Sequence, residues 1–298
     1  MFYQQLGKSD LQISRIGFGC MSLKPADAQS ENILHRAIEL GINYFDTADL
    51  YDKGANEELL GRVLKQKRGQ IILASKAGNQ WRPDGSGWDW NPRKDYILKC
   101  ADQSLKRLQT DYIDLFQLHG GTMNDPIDET MEAFEQLLKE GKIRYYGISS
   151  IRPNVIRHWS QHSNIVSVMT QYSLLDRRPE EETLNLLKQK NIGVVVRGSV
   201  AQGLLVNKPA KPYLNYSEEE AKKAAATIYS VSNNERTPAN TAIQFVLNHP
   251  SVTSAVVGMR TMEQLEEAVQ TVEVSSLSIN DIELLKNSLP VNRYTDHR

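Results

Sequence analysis

A chain of 298 residues, 40% apolar and 24% charged, is long enough for two small domains or one large α/β barrel and has the balance of an ordinary globular protein. Its net charge of −1, without a dense Lys/Arg block, argues against nucleic acid or an anionic membrane and for a small-molecule partner. Two isolated cysteines, Cys20 and Cys100, a charged N-terminus (Lys8, Asp10, Arg15) and no apolar run near the roughly 18 residues of a membrane span predict a reduced, cytoplasmic chain.

An opening hairpin is expected over Tyr3 to Ser14, turning at Gly7-Lys8-Ser9-Asp10. Eight short β-rich runs follow: Ile16–Cys20, Asn43–Asp46, Ile71–Ser75, Ile113–Leu118, Tyr145–Ser149, Val168–Gln171, Val194–Arg197 and Ala255–Val257. Helical patterns lie between them. Asn32–Leu40 places Ile33, Ala37 and Leu40 on one face and stops at Gly41. Pro126 and Asp128 open a helix with Met131, Phe134, Leu137 and Leu138 at helical spacing before Gly141. Pro153 precedes another, and Glu180–Lys190 forms another. Thr237-Pro238 has the cap-then-proline order of a helix start, with Ile243, Val246 and Leu247 as its apolar stripe.

Alternating strand and helix predict a (β/α)8 TIM barrel with an N-terminal β-hairpin, one domain over residues 1–298. A doubly wound dinucleotide fold would carry a glycine fingerprint after its first strand. Here Gly17-Phe18-Gly19-Cys20-Met21-Ser22 is a lone GxG without the third glycine.

Barrel enzymes place chemistry at the C-terminal ends of their strands. Those ends supply Asp46 and Tyr51 (FDTADLY), Lys76 (ILASKAGN) and His119 (LFQLHGG), while Asp49 and Asp52 read as loop carboxylates. Each residue alone also reads as a rim or loop residue. Together they suit carbonyl reduction, in which the oxygen must receive a proton as hydride reaches carbon. Tyr51 is the acid in this reading, although a free phenol has a pKa of about 10. A lysine at about 4 Å, at an effective dielectric near 20, is worth roughly 4 kcal/mol and is expected to lower that pKa. Asp46 would hold Lys76, and His119 would orient the carbonyl. With His119 the only histidine at a strand mouth, a metal-dependent barrel hydrolase is not supported.

These motifs, with VVGMRTMEQLEEA near the C-terminus, resemble the aldo-keto reductases almost end to end. The resemblance implies a (β/α)8 barrel, NADPH/NADP+ as cofactor, and Asp46, Tyr51, Lys76 and His119 as a catalytic tetrad. It also implies a cofactor site, onto which Cys20 and Met21 at the end of the first strand map together with Asp46. Ser149 and Ser150 stand where relatives hold the nicotinamide carboxamide with Ser-Asn, and Gln171 completes that grip. Arg197 replaces a stacking aromatic residue. Gly198, Ser199, Val200, Ala201, Gly203 and Leu205 match the pyrophosphate loop. Gly258, Arg260, Gln264 and Glu267 match the adenosine end, where Arg260 would hold a 2′-phosphate. Ala268 stands where relatives often have asparagine. Trp81, Trp88 and Trp90 are expected to wall the substrate's tail. Relatives that serve as redox-sensing, slowly turning NADPH-binding regulators supply the alternative function.

Overall fold

The computed structural model describes residues 1–298. Its strands are β1 (Tyr3–Gln5), β2 (Gln12–Ser14), β3 (Ile16–Gly19), β4 (Tyr44–Asp46), β5 (Ile72–Ala77), β6 (Asn79–Trp81), β7 (Trp88–Trp90), β8 (Ile113–Leu118), β9 (Ile143–Ser149), β10 (Ser167–Gln171), β11 (Gly193–Arg197) and β12 (Val252–Gly258). Its α-helices are α1 (Ala28–Glu39), α2 (Ala55–Leu64), α3 (Lys94–Leu108), α4 (Ile127–Lys139), α5 (Pro153–His162), α6 (Thr183–Gln189), α7 (Glu218–Val231), α8 (Pro238–Leu247), α9 (Met262–Gln270) and α10 (Ile279–Asn287).

Eight parallel strands close in the order β3, β4, β5, β8, β9, β10, β11, β12 and back to β3. The expected barrel is therefore present, as is the antiparallel hairpin β1–β2, with Tyr3 opposite Ser14. Alternation along each strand splits the core in two. Outward residues such as Phe45, Phe116 and Val196 join the larger cluster under the helices. Tyr44, Ile72, Ala74, Leu115, Met169, Val195 and Val256 fill the barrel interior. Leu6, Leu11 and Ile13 of the hairpin segment join that inner cluster and stopper its lower end. The candidate residues lie at the opposite, upper end, where the strands finish.

Strand boundaries coincide with the expected ones or lie one to three residues from them; where strands run longer, as at β9 and β12, ladder pairing continues past the apolar run. Lys76, expected beyond the third barrel strand, sits inside β5 opposite Gln117. The helix expected over Glu180–Lys190 begins only at Thr183, because Glu180 is drawn into a short 3-10 turn where Tyr172 and Arg177 donate to its carboxylate. The tryptophan segment after Lys76 contains the two-stranded hairpin β6–β7, with Trp81 opposite Trp88. The start of α8 follows the expected pattern: Thr237 caps it with Asn240 as the reciprocal partner. No helix is long and apolar enough to cross a membrane.

Candidate active site

Two residues above the last apolar inward position of several strands, the inward row turns polar. Tyr44 is followed by Asp46, Ala74 by Lys76, Leu115 by Gln117, Met169 by Gln171 and Val195 by Arg197. This switch from an apolar plug to a polar ring places the candidate residues at the mouth.

Lys76 is the centre of that ring. Its side chain is 1% exposed, and Nζ donates to Asp46 Oδ2 at 2.7 Å and to the Thr47 carbonyl at 2.7 Å. The Tyr51 hydroxyl lies 3.5 Å from the same nitrogen. Burial works against the ammonium charge, but Asp46 and Tyr51 more than offset it, so the lysine pKa is raised and the group stays protonated. The Tyr51 ring meets His119 edge-on, with centroids 5.9 Å apart. His119 is neutral. Burial, with the charges of Lys76 and Arg197, lowers its pKa to about 3. A neutral imidazole can donate to a carbonyl oxygen without bringing a second full charge into the site.

The expected lowering of the Tyr51 pKa does not occur in the free protein. Burial raises it, Lys76 and Arg197 pull it down, Asp46 pushes it up, and the net direction is upward. Desolvation wins because Lys76 spends its charge on Asp46, the nearer partner. Tyr51 therefore keeps its proton at neutral pH, as a proton donor must.

The loop that carries Tyr51 is tied on several sides. Thr47 donates to Asn56 Oδ1 at 2.6 Å, and Asn56 donates to the Cys20 carbonyl at 2.8 Å. Trp81 Nε1 donates to the Leu50 carbonyl at 3.1 Å, and Lys53 Nζ lies 5.1 Å from the Trp81 ring centre. Asp52 (φ 48°) and Lys53 (φ 55°), directly after the tyrosine, adopt the left-handed conformation that side-chain-bearing residues avoid. Asp49 is not the open loop carboxylate expected. Its Oδ1 is sealed from water without a partner. Burial and Glu57 push its pKa up to about 7, while the Cys100 thiol, Arg107 and the Leu50 amide pull it down.

The tryptophans divide. Trp90 donates to Asp125 at 2.9 Å and lies across Gly78 and Gly120, where an added Cβ would stand 2.7 Å and 3.1 Å from its ring. Only glycine at these two positions leaves room for the indole. Trp81 is anchored to the tyrosine loop, and Trp88 is exposed.

On the other side, Ser149 and Ser150 are buried at the top of β9, with Ser150 Oγ accepting from the Arg152 amide at 3.2 Å. Both ends of the Gln171 amide are engaged: Oε1 accepts from Arg197 Nη1 at 2.9 Å, and Nε2 donates to Asp176 and to the Tyr213 hydroxyl. Arg197 is exposed, yet its charge acts on Asp46, Tyr51 and His119. Gly198, Ala201 and Gly203 all have positive φ, so the loop from Gly198 through Ser199, Val200 and Leu205 turns sharply on its backbone. Cys20 is fully buried and Met21 exposed. Past Gly258, Arg260 is exposed at the start of α9, its amide donating to Gln264 Oε1 at 2.9 Å. Glu267 accepts from the hydroxyl of Thr237, the residue that caps α8, at 2.7 Å, so part of this carboxylate is already engaged.

A family model described as "Aldo/keto reductase family" matches residues 15–289. The "Uncharacterized oxidoreductase YqkF" of Bacillus subtilis is 49% identical over 304 residues, covering 99% of each chain. The solved "aldo-keto reductase AKR11C1 from Bacillus halodurans (holo form)" superposes with a TM-score of 0.94 at 48% identity, covering 100% of this chain and 99% of that one. "Aldo-keto reductase yakc [NADP(+)]" of Schizosaccharomyces pombe is 35% identical over 210 residues, 67% of this chain and 62% of that one. The chain belongs to the aldo/keto reductase family and is an oxidoreductase.

Proposed function

We propose that the protein reduces aldehydes or ketones to alcohols with NADPH, with Tyr51 as general acid, Lys76 and Asp46 setting its surroundings, and His119 orienting the carbonyl. The observation that carries this reading is the buried Asp46–Lys76–Tyr51 chain beside a neutral histidine. A nicotinamide cofactor supplies the hydride when bound. Tyr51 holds a proton at its hydroxyl for the developing alkoxide, and Lys76 stabilises the phenolate left behind. His119 aims the oxygen at that proton. Buried Asp46 keeps the ammonium in place, at a cost in desolvation that its hydrogen bonds offset.

The residues present fit such a cofactor. The loop of Gly198, Ser199, Val200, Ala201, Gly203 and Leu205 offers a tightly turned backbone to a pyrophosphate. Arg260, beside the N-terminus of a nine-residue helix, suits a 2′-phosphate and so NADPH over NADH. The S. pombe relative's name carries NADP(+). Ser149, Ser150 and Gln171 would hold the carboxamide, and Arg197 the nicotinamide ring. Gln171 must then exchange its exposed bond to Arg197 for one to the ligand. Cys20 would contribute only its backbone, being buried, while Met21 is free to touch the ligand.

Five exposed apolar side chains stand at this end of the barrel: Met21 in a 3-10 turn, Trp88 on β7, and Met123, Ile151 and Leu214 on loops. They favour substrates with an apolar tail over small polar ones. The test is NADPH consumption across aromatic, short polar and long aliphatic aldehydes, with turnover expected on the apolar members. A single slow oxidation of bound NADPH, with no steady-state turnover on any aldehyde, would reassign the protein to redox sensing.

A further inference from the structure

Both hydrogens of the Gln171 amide trace back to one stretch of chain, the segment that follows α10. Nε2 donates to Asp176 Oδ2 at 2.9 Å and to the Tyr213 hydroxyl at 3.1 Å. The charges on either side settle which way the amide lies. Reversed, it would turn its oxygen on the Asp176 carboxylate and its hydrogens on the Arg197 guanidinium. Asp176 is fully buried, and Arg178 grips both of its oxygens, Nε to Oδ1 at 2.8 Å and Nη2 to Oδ2 at 2.9 Å. A planar guanidinium held in this way still offers a flat face. The Tyr294 ring covers it, with its centre 4.8 Å from Cζ. Tyr294 is itself buried, and its amide donates to Glu181 Oε2 at 3.3 Å. The second branch runs through Tyr213, which exchanges two backbone hydrogen bonds of 3.0 Å with Tyr216. The Tyr216 hydroxyl donates to the Pro290 carbonyl at 2.6 Å and accepts from the Asn292 amide at 3.2 Å. Buried Asn292 also accepts from the Arg177 amide at 2.9 Å, which fastens the segment to the turn that carries Asp176 and Arg178.

We propose that Tyr294 is a positioning residue for the nicotinamide end of the cofactor: packed on Arg178, with Asn292 backing Tyr216 beside it, it keeps the Gln171 amide fixed with Oε1 toward the mouth. This rests on the reading of Gln171 as a partner of the carboxamide given above. With both hydrogens held from behind, the amide cannot turn over, and only Oε1 is left to exchange Arg197 for a ligand donor. A group fixed before the ligand arrives loses no further freedom on binding, which raises affinity without adding a contact. Without the Tyr294 ring, one face of Arg178 opens to water and the guanidinium holds the buried Asp176 carboxylate less firmly. The amide that Asp176 anchors is then free to rotate.

The test is fluorescence titration of Tyr294→Leu with NADPH and, by displacement, with 2′-phospho-ADP-ribose, a fragment that lacks the nicotinamide. NADPH affinity should fall by about two- to thirtyfold, the range of a cation–π contact. Affinity for the fragment should be unchanged, a contrast that general loosening of the fold would not produce. Tyr294→Phe, which keeps the ring, should bind NADPH as the parent does. Tyr216→Phe cuts the other branch by removing one oxygen; it should give a smaller loss of the same kind, and it carries the test if Tyr294→Leu does not fold. In a Gln171→Leu background, Tyr294→Leu should add nothing. Unchanged NADPH affinity, equal loss of NADPH and fragment, or losses that add to that of Gln171→Leu overturn the proposal. Gln171→Leu alone separates the two readings. If it leaves NADPH affinity intact, Gln171 does not hold the carboxamide and both readings fall. If it weakens NADPH while Tyr294→Leu does not, only the role of Tyr294 is wrong.

Discussion

The two arcs of the barrel mouth are built on opposite plans. On β4, β5 and β8, Lys76 and Asp46 are 1% and 6% exposed in their side chains and bonded to each other, with Tyr51 and His119 packed against them. On β9 to β12 the corresponding positions are sharp backbone turns, small residues and the exposed arginines Arg197 and Arg260. Half-buried Gln171 in that arc has its bonds already taken by neighbours. A buried, internally bonded arc is preorganised: it can meet developing charge without rearranging. An open arc must exchange internal bonds for ligand bonds, so its contribution is a difference between the two. Substitutions in the first arc should therefore appear in rate and those in the second in affinity.

Tyr51→Phe probes that division most strongly. It removes one oxygen from the buried arc and should reduce kcat by about a hundred- to ten-thousandfold, the usual scale of general acid catalysis. NADPH affinity, read by fluorescence titration, should be nearly unchanged. Near-normal turnover would remove Tyr51 from the acid's role. Arg260→Ala is the counterpart in the open arc. Losing charge-assisted bonds worth roughly 1.5–3 kcal/mol should weaken NADPH about ten- to hundredfold. NADH, without the 2′-phosphate, should bind almost as before, and kcat at saturating NADPH should hold. Equal loss of both cofactors would give Arg260 another task.

The buried arc was also the more legible from sequence, for a physical reason. Asp46, Tyr51, Lys76 and His119 are rare choices at the ends of apolar strands, so an ordered set of them is a signal that survives errors in strand boundaries. Their electrostatics were not legible. The direction of the Tyr51 pKa depends on which partner lies nearer Lys76 and on how completely the site is covered, and neither is local in sequence. The same holds for Asp49, whose pKa is set by Glu57, Cys100 and Arg107 from two helices. Gln171 was readable as a strand-end amide, but its ties to Arg197 and Tyr213 come from distant segments. The β6–β7 hairpin did leave a trace, since Pro83-Asp84-Gly85-Ser86 is turn chemistry between two tryptophan-bearing triplets. Three-residue strands with polar neighbours are too short for alternation to stand out. Gln117 was equally visible in LFQLHGG: one step of alternation from Leu115 points it inward, beneath His119.

Asp49 offers a sharper test of what burial does near the first arc. Its proton leaves the unfolded chain near the ordinary value of about 4. In the folded protein it leaves at about 7, because burial and Glu57 disfavour the charge. Between these limits the folded state holds more protons than the unfolded one, so this residue makes stability fall as pH rises from about 4 to about 7. Allowing for the partial exposure of the side chain, the effect is on the order of 1–3 kcal/mol. Asp49→Asn should remove that slope and leave the variant more stable than the parent at pH 8, by urea denaturation. An unchanged slope would mean that Asp49 is ionised and paired in solution at acid pH.

Arg197 joins the two arcs, and substituting it should have the smallest effect. It stands on β11, is held by a neutral partner, Gln171, and extends its charge to Asp46, Tyr51 and His119. Beside a neutral dihydronicotinamide its guanidinium is attractive, in the manner of cation–π contacts worth about 0.5–2 kcal/mol. Beside the oxidised pyridinium the same guanidinium faces like charge. NADP+ should therefore leave this site more readily than one lined by an aromatic ring, and where product release limits turnover this raises kcat. Arg197→Trp should tighten NADP+ more than NADPH by roughly two- to thirtyfold, the range those energies span. Stopped-flow dissociation of NADP+ should slow correspondingly. The variant also takes a cation away from Tyr51, so its phenol should hold its proton to higher pH. Unchanged or faster release of NADP+, with a shifted pH profile, would leave Arg197 as an electrostatic neighbour of the tetrad rather than a partner of the cofactor ring.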